Sequence, residues 1–199
     1  MIEDTIAAIA TPIGEGALAV IRLSGENALT IAAECFKPIG NSSFSPTKAA
    51  THTLHYGKIV SGEREIDEVL ISVMLAPRTF TRENVVEITC HGGMVASRSV
   101  LQAVLSAGAR SAEPGEFTRR AFINGRIDLA QAEAVSDVIQ AHTDLALAAA
   151  NEQLGGKLSQ RINHLRDDLM HTLAHIEAHI DFPDWETLFH GKWFLVFLL

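Results

Sequence analysis

Cysteine is scarce in this 199-residue chain: only Cys35 and Cys90 occur, with neither C-x-x-C spacing nor a zinc-binding pattern. That excludes a disulfide scaffold and leaves two reduced thiols in a cytosolic protein as the expectation. Basic charge is short as well, since 16 Lys and Arg against 24 Asp and Glu give a net charge of −8. A basic DNA-coating protein is therefore excluded, and attraction to nucleic acid or anionic lipid needs locally focused cations. No apolar run approaches the ~20 residues that span a bilayer. The start, Met1-Ile2-Glu3-Asp4, is acidic where a secretory signal is basic. The expectation is a cytoplasmic protein without membrane attachment.

Several catalytic signatures are missing too. A phosphate-cradling G-x-x-x-x-G-K-[ST] loop fails at both ends, because Leu158 follows Gly155-Gly156-Lys157 and Asn151 stands where the first glycine belongs. Gly14-Glu15-Gly16-Ala17-Leu18-Ala19 fits a loose dinucleotide fingerprint, but a β-like run follows it rather than a helix. His171, His175 and His179 share one helix face, yet no Glu directly follows the first His as the zincin form requires; no metal site is expected. No G-x-S-x-G elbow supports a hydrolase triad, and no catalytic residue is assigned.

What is present reads as strands mixed with amphipathic helices up to Phe117 and almost entirely as helix beyond it. The predicted strands are Ile6 to Ala10, Ala17 to Leu23, a hairpin of His52 to Val60 and Ile66 to Leu75, and Val85 to Cys90. Helices are predicted over Glu26 to Phe36, with Ser24 as a plausible cap, and from Met94, with Val95, Leu101, Val104 and Leu105 on one face and Gly108 at the C-cap. The turn between Val85 to Cys90 and that second helix, His91-Gly92-Gly93, is a common place to hold a ligand. Phe117 to Ile123 forms a short helix ended by Asn124-Gly125, and Asp128-Leu129-Ala130-Gln131 is a capping box opening a long helix. Leu158, Ile162, Leu165, Leu169, Leu173, Ile176 and Ile180 form a seam that needs partner helices, and exposed it favours self-association. The expected fold class is α+β, with the domain boundary at about Phe117 and an apolar end at Trp193 to Leu199.

The informative polar residues sit at element ends. Arg22 lies inside an apolar strand, Glu87 among Val85, Val86 and Ile88, and Arg126 just after the Asn124-Gly125 turn. One reading is internal ion pairs or outward-facing strand positions. The other is a pocket in which a carboxylate takes two hydrogen bonds from an amino-imine edge, such as a pterin's, while arginine forks pair with ligand carboxylates.

A resemblance bears on that choice. Ala10-Thr11-Pro12 with Gly14-Glu15-Gly16, Val20 to Gly25, Phe80 to Glu87 and His91-Gly92-Gly93 resemble the N-terminal domain of the bacterial MnmE (TrmE) family of tRNA modification GTPases. Arg110, Pro114 to Phe122, Asn124, Asp128 to Ala134 and Ile180-Asp181-Phe182-Pro183 continue the resemblance in family order, from Thr5 to Asp184. It implies an N-terminal α/β domain similar to tetrahydrofolate-binding one-carbon-transfer domains, which forms a homodimer and binds 5-formyl-tetrahydrofolate or a related reduced folate, followed by a helical domain that is incomplete here. It places the folate contacts on Arg22, Glu87 and Arg126, where Lys is usual at the last position. For the full-length family it implies GTP with Mg and K, a flavin-dependent partner protein, and the wobble uridine of tRNA as the target. The family pattern is lost in Trp185 to Leu199, and the GTPase domain is absent, so a fragment or truncated reading frame is expected, not catalytic alone.

Overall fold

The computed structural model describes residues 4–12, 14, 16–40 and 43–181. Seven strands, β1 (Ile6–Ile9), β2 (Leu18–Ser24), β3 (Phe36–Pro38), β4 (Thr53–Ser61), β5 (Arg64–Met74), β6 (Val85–His91) and β7 (Arg110–Ser111), form one sheet in the order β3-β4-β5-β6-β2-β1-β7. All neighbours pair antiparallel except β1 and β7, which are parallel. Period-two alternation decides what each face carries. Ile21 and Leu23 on β2, Ile71 and Val73 on β5, and Val86 and Ile88 on β6 enter the core. There they meet α1 (Ala28–Cys35) and α2 (Met94–Ser106), which cover one face of the sheet. On the other face Leu18, Leu54, Tyr56 and Leu70 remain exposed.

Two details of the helices differ from the sequence reading. The cap of α1 is Asn27, without a side-chain cap hydrogen bond. Ser24 ends β2 instead, and its hydroxyl reaches across to Thr81 and Glu83. On α2 the buried positions are Ser97, Val100, Ala103 and Val104, while Val95 is 80% exposed. Five residues before Val100, Val95 falls outside the i, i+3, i+4 stripe that meets the sheet.

The glycine turn after β6 brings main chain against main chain. A Cβ built on Gly92 would lie 2.3 Å from the Gly16 carbonyl oxygen and 2.9 Å from the Leu18 carbonyl carbon, so only glycine fits. The space beside it, lined by Pro12, Gly14, Met94 and Arg98 among others, is about 20 Å³, room for about one water. At this turn main chain packs against main chain. Gly16 leads into β2 rather than a helix, so the dinucleotide fingerprint lacks its required context; Ile13 and Glu15 lie outside the described residues.

The chain divides into two compact units between Ala132 and Glu133. In the first, α3 (Glu116–Ile123) follows β7, and α4 (Leu129–Gln140) begins at the expected capping box. Asp128 Oδ1 accepts from the Gln131 N–H at 2.9 Å and Gln131 Oε1 accepts from the Asp128 N–H at 3.0 Å. The helix that opens there is shorter than expected. It stops at Gln140, and α5 (Asp144–Leu154) starts afresh because the Thr143 side chain caps it, accepting from the Ala146 N–H at 3.1 Å. A Gly155-Gly156 turn, with Gly156 at φ 84, then opens α6 (Lys157–Asp181). No residue of α6 is buried, and its apolar seam is exposed from Leu158 (42%) to Ile180 (71%). The expected tail at 185–199, and Phe182-Pro183, lie outside the described residues. Among the described residues no helix is long and apolar enough to cross a membrane.

Gly92→Ala should lower the unfolding free energy by about 1–3 kcal/mol, the usual cost of overpacking. Urea denaturation followed by circular dichroism measures it, and an unchanged midpoint would show that the two turns can part freely.

Candidate functional site

Because Ile21 and Leu23 point into the core, Arg22 between them emerges on the opposite face. The β2–β6 register sets it directly against Glu87. Glu87 Oε1 accepts from Arg22 Nε at 2.8 Å, and Arg22 Nη2 lies 2.7 Å from the same oxygen. Both side chains stay partly open, 31% and 26% exposed. Among the described residues Glu87 Oε2 accepts no hydrogen bond, so half of the carboxylate remains available. The Arg22 guanidinium also lies 5.7 Å from the centroid of the Phe117 ring on α3, within cation–π range.

Arg126 is not part of this pair. It is exposed, with its guanidinium 4.9 Å from the Phe80 ring centroid and Nη1 donating to the Phe80 carbonyl at 3.3 Å. The segment beneath it, Thr79 to Asn84, is tied to the end of α3 twice. Asn124 Nδ2 donates to the Thr81 carbonyl at 2.7 Å, and Arg82 Nη1 donates to the Asn124 carbonyl at 3.1 Å. Arg82 has φ 59, a left-handed conformation that bulky side chains adopt only when their surroundings hold them there.

Behind these residues lies an ionic network, buried at Arg120 and Glu116 and open to solvent at Asp4 and Arg110, that sequence reading did not find. Arg120 is fully buried, and its Nη2 donates to Asp4 Oδ1 at 2.6 Å while Nη1 donates to the Asp4 carbonyl at 2.9 Å and to the Glu83 carboxylate at 3.3 Å. Arg110 clamps Glu116 through both oxygens, at 2.6 and 3.1 Å, and donates from Nε to Asp4 Oδ2 at 2.6 Å. Glu83 closes the chain toward the sheet by accepting the Ser24 hydroxyl at 2.7 Å. That hydroxyl then takes the Thr81 O–H, 2.6 Å away. Gly25 permits the close approach of these segments: at φ 142, a Cβ there would stand 2.6 Å from Thr5 Oγ1. The i, i+4 spacing of Glu116 and Arg120 was a readable signal. Their partners Asp4 and Glu83 are 116 and 37 residues away from Arg120, and no local pattern connects them.

The remaining candidates are inert or isolated. Cys35 and Cys90 are free and buried, and burial pushes each thiol up to about 11, which keeps them protonated and weakly nucleophilic. His171, His175 and His179 are exposed on α6, and among the described residues no three His, Cys, Asp or Glu side chains gather as metal ligands.

The network carries a pH signature. Hydrogen bonds from Arg110, opposed by burial and reinforced by the Glu113 N–H and Arg120, hold the Glu116 carboxyl down at about 2. Arg110 likewise lowers Asp4. A carboxylate depressed in the folded state stabilises the protein fully above its unfolded pKa, and the contribution disappears as pH falls through the folded value. Stability should therefore drop between about pH 4.5 and pH 2, with Glu116 (1% exposed) accounting for about 3 kcal/mol. Urea denaturation across this range should give a shallower slope for Glu116→Gln than for wild type; parallel slopes would refute the assignment.

Comparison with known proteins places the chain in a family. A family model described as "GTP-binding protein TrmE N-terminus" matches residues 5–126, and one described as "MnmE helical domain" matches residues 129–192. The chain is 55% identical over 185 residues to the tRNA modification GTPase MnmE of Bacillus velezensis, covering 92% of this chain and 40% of that protein. It is 54% identical to the protein of the same name from Bacillus subtilis and 55% identical to that from Geobacillus thermodenitrificans, with the same coverage in both cases. The chain thus spans about 40% of the length of the curated relatives it matches. With a sheet domain that matches one family model and a helical region that matches the other in sequence order, the chain belongs to the MnmE (TrmE) family of tRNA modification GTPases.

Proposed function

We propose that this chain is the folate-binding part of a tRNA modification GTPase, taking a reduced folate of the 5-formyl-tetrahydrofolate type through Arg22, Glu87 and Arg126. The observation that carries this reading is the half-open cross-strand pair, in which Glu87 keeps Oε2 free beside a partly exposed Arg22. A pterin presents parallel N–H donors to a carboxylate, and the glutamate end of a folate presents carboxylates to arginine. The residues fit the group. Glu87 supplies the acceptor, Phe117 and Phe80 support the two guanidiniums from behind, and Arg126 is an exposed cation. When bound, the folate would supply a one-carbon unit; the chain's own residues bind and orient it.

The same reading extends to assembly. Leu18, Leu54, Tyr56 and Leu70 are exposed on the sheet face from which Arg22 and Glu87 emerge, and a second copy of the chain covers them in the proposed homodimer. For the whole protein we propose GTP hydrolysis with Mg and K, action with a flavin-dependent partner on the wobble uridine of tRNA, and a cytoplasmic setting.

Two measurements test the reading. In calorimetry with 5-formyl-tetrahydrofolate, Glu87→Ala should weaken binding roughly ten- to hundredfold, because a hydrogen bond to a charged group contributes ~1.5–3 kcal/mol. Arg126→Lys keeps the charge but loses the planar fork, and should cost less. Equal affinity for all three proteins removes Glu87 from the site, and no heat from folded wild type favours an interaction module with a vestigial pocket. In light scattering, wild type should run as a dimer and Leu70→Asp as a monomer; a wild-type monomer at high concentration overturns the dimer.

A further inference from the structure

We propose that Arg120 is a positioning residue for the folate site: it locks α3 onto the Thr79 to Asn84 segment, so that Phe117 stands beside Arg22 and Arg126 lies over Phe80. Its consequence for ligand rests on the folate reading above, whereas its geometry rests on contacts within this chain alone.

Helix α3 has only eight residues, too few to hold its own position or even to persist unaided. Yet it carries the Phe117 ring at its first turn, and Asn124 and Arg126 follow directly from its last. Where these side chains stand is therefore decided by what fastens the helix: Glu116 is held by Arg110 and Asn124 by the Thr81 carbonyl, and between them Arg120 is the fastening that reaches two other segments at once. From the middle of α3 its guanidinium reaches Asp4 and Glu83 at once.

Glu83 transmits the placement in two directions. Its carboxylate takes the Ser24 hydroxyl, two residues along β2 from Arg22 and on the same face. Its own N–H donates to Thr81 Oγ1 at 3.3 Å, which sets the loop where Arg82 holds its left-handed conformation and the Thr81 carbonyl receives Asn124. One guanidinium thus fixes both the α3 side and the strand side of the site.

Stability alone does not call for a charge here. A buried ionic cluster can often be replaced by apolar side chains of similar volume without loss, so retaining one argues for directionality. Arg120 Nε is, moreover, buried with no hydrogen-bond partner. Such an orphan donor is unfavourable in a native interior, and it is tolerated because the two Nη groups are held in the orientation that Asp4 and Glu83 require.

The test uses Arg120→Lys, which keeps the charge but cannot reach Asp4 and Glu83 together, and Glu83→Gln as a second variant should the lysine protein not fold. Without any ligand, hydrogen exchange should rise at least tenfold at residues 79–84 and 124–126 while the β4–β5 hairpin keeps its protection. With 5-formyl-tetrahydrofolate, Arg120→Lys should weaken binding roughly tenfold in wild type and by a clearly smaller factor in the Arg126→Ala background, where only the Phe117 and Arg22 side remains to be displaced. Faster exchange spread evenly over the first unit would reveal a merely structural residue and overturn the proposal, as would an equal loss of affinity in both backgrounds. If wild type itself binds no folate, the folate reading fails, and the exchange pattern alone decides the positioning role.

Discussion

The arrangement of the first unit depends on the register of β2 against β6. Ile21 and Leu23 must be buried beside Val86 and Ile88, and period-two alternation then forces Arg22, Ser24 and Glu87 onto the other face. A slip of one residue would send a guanidinium and a carboxylate into the hydrocarbon core, where ions are costly. The apolar packing under α1 and α2 therefore specifies the polar site on the far side, without either helix touching it.

That far side is organised by charge rather than by apolar packing. Asp4, Arg110, Glu116, Arg120 and Glu83 form a chain of alternating sign that joins the entry to β1, β7, α3 and the segment before β6. These segments are remote in sequence and short, so none has the length to bury a hydrophobic stripe of its own. Directional ion pairs hold them where nonspecific contact could not. Within it the Arg110 guanidinium holds the Glu116 and Asp4 carboxyls below their ordinary values, so both are charged at neutral pH.

The sequence made the strands, the hairpin and the capping box legible because each is written in local residue choices: alternation, the Ser61-Gly62-Glu63-Arg64 turn, and Asp128 three residues before Gln131. It marked Arg22 and Glu87 by their polarity within apolar strands, and the register joined them. Of the ionic network only the Glu116 and Arg120 spacing could be read locally, for the opposite reason. Arg120 lies in a run with Arg119 and resembles a solvated helix face until Asp4 is brought to it across most of the first unit. Ser24 was misread for a related reason: a serine before a helix reads as a cap, but a stronger acceptor, the Glu83 carboxylate, claimed its hydroxyl. The break at Thr143 is a local competition between two helix starts, and composition favoured helix throughout.

The two cysteines bear on how the molecule can be watched. Cys35 and Cys90 are enclosed by the sheet and its covering helices and remain protonated at neutral pH. The folded protein is consequently slow toward maleimides and other thiol-directed reagents. A new cysteine in the exposed Ser61 to Arg64 turn then becomes the single reactive handle on the first unit, so a fluorophore can be attached there without first deleting either native thiol. The same shielding makes unwanted labelling of Cys35 or Cys90 a direct report that the core has opened.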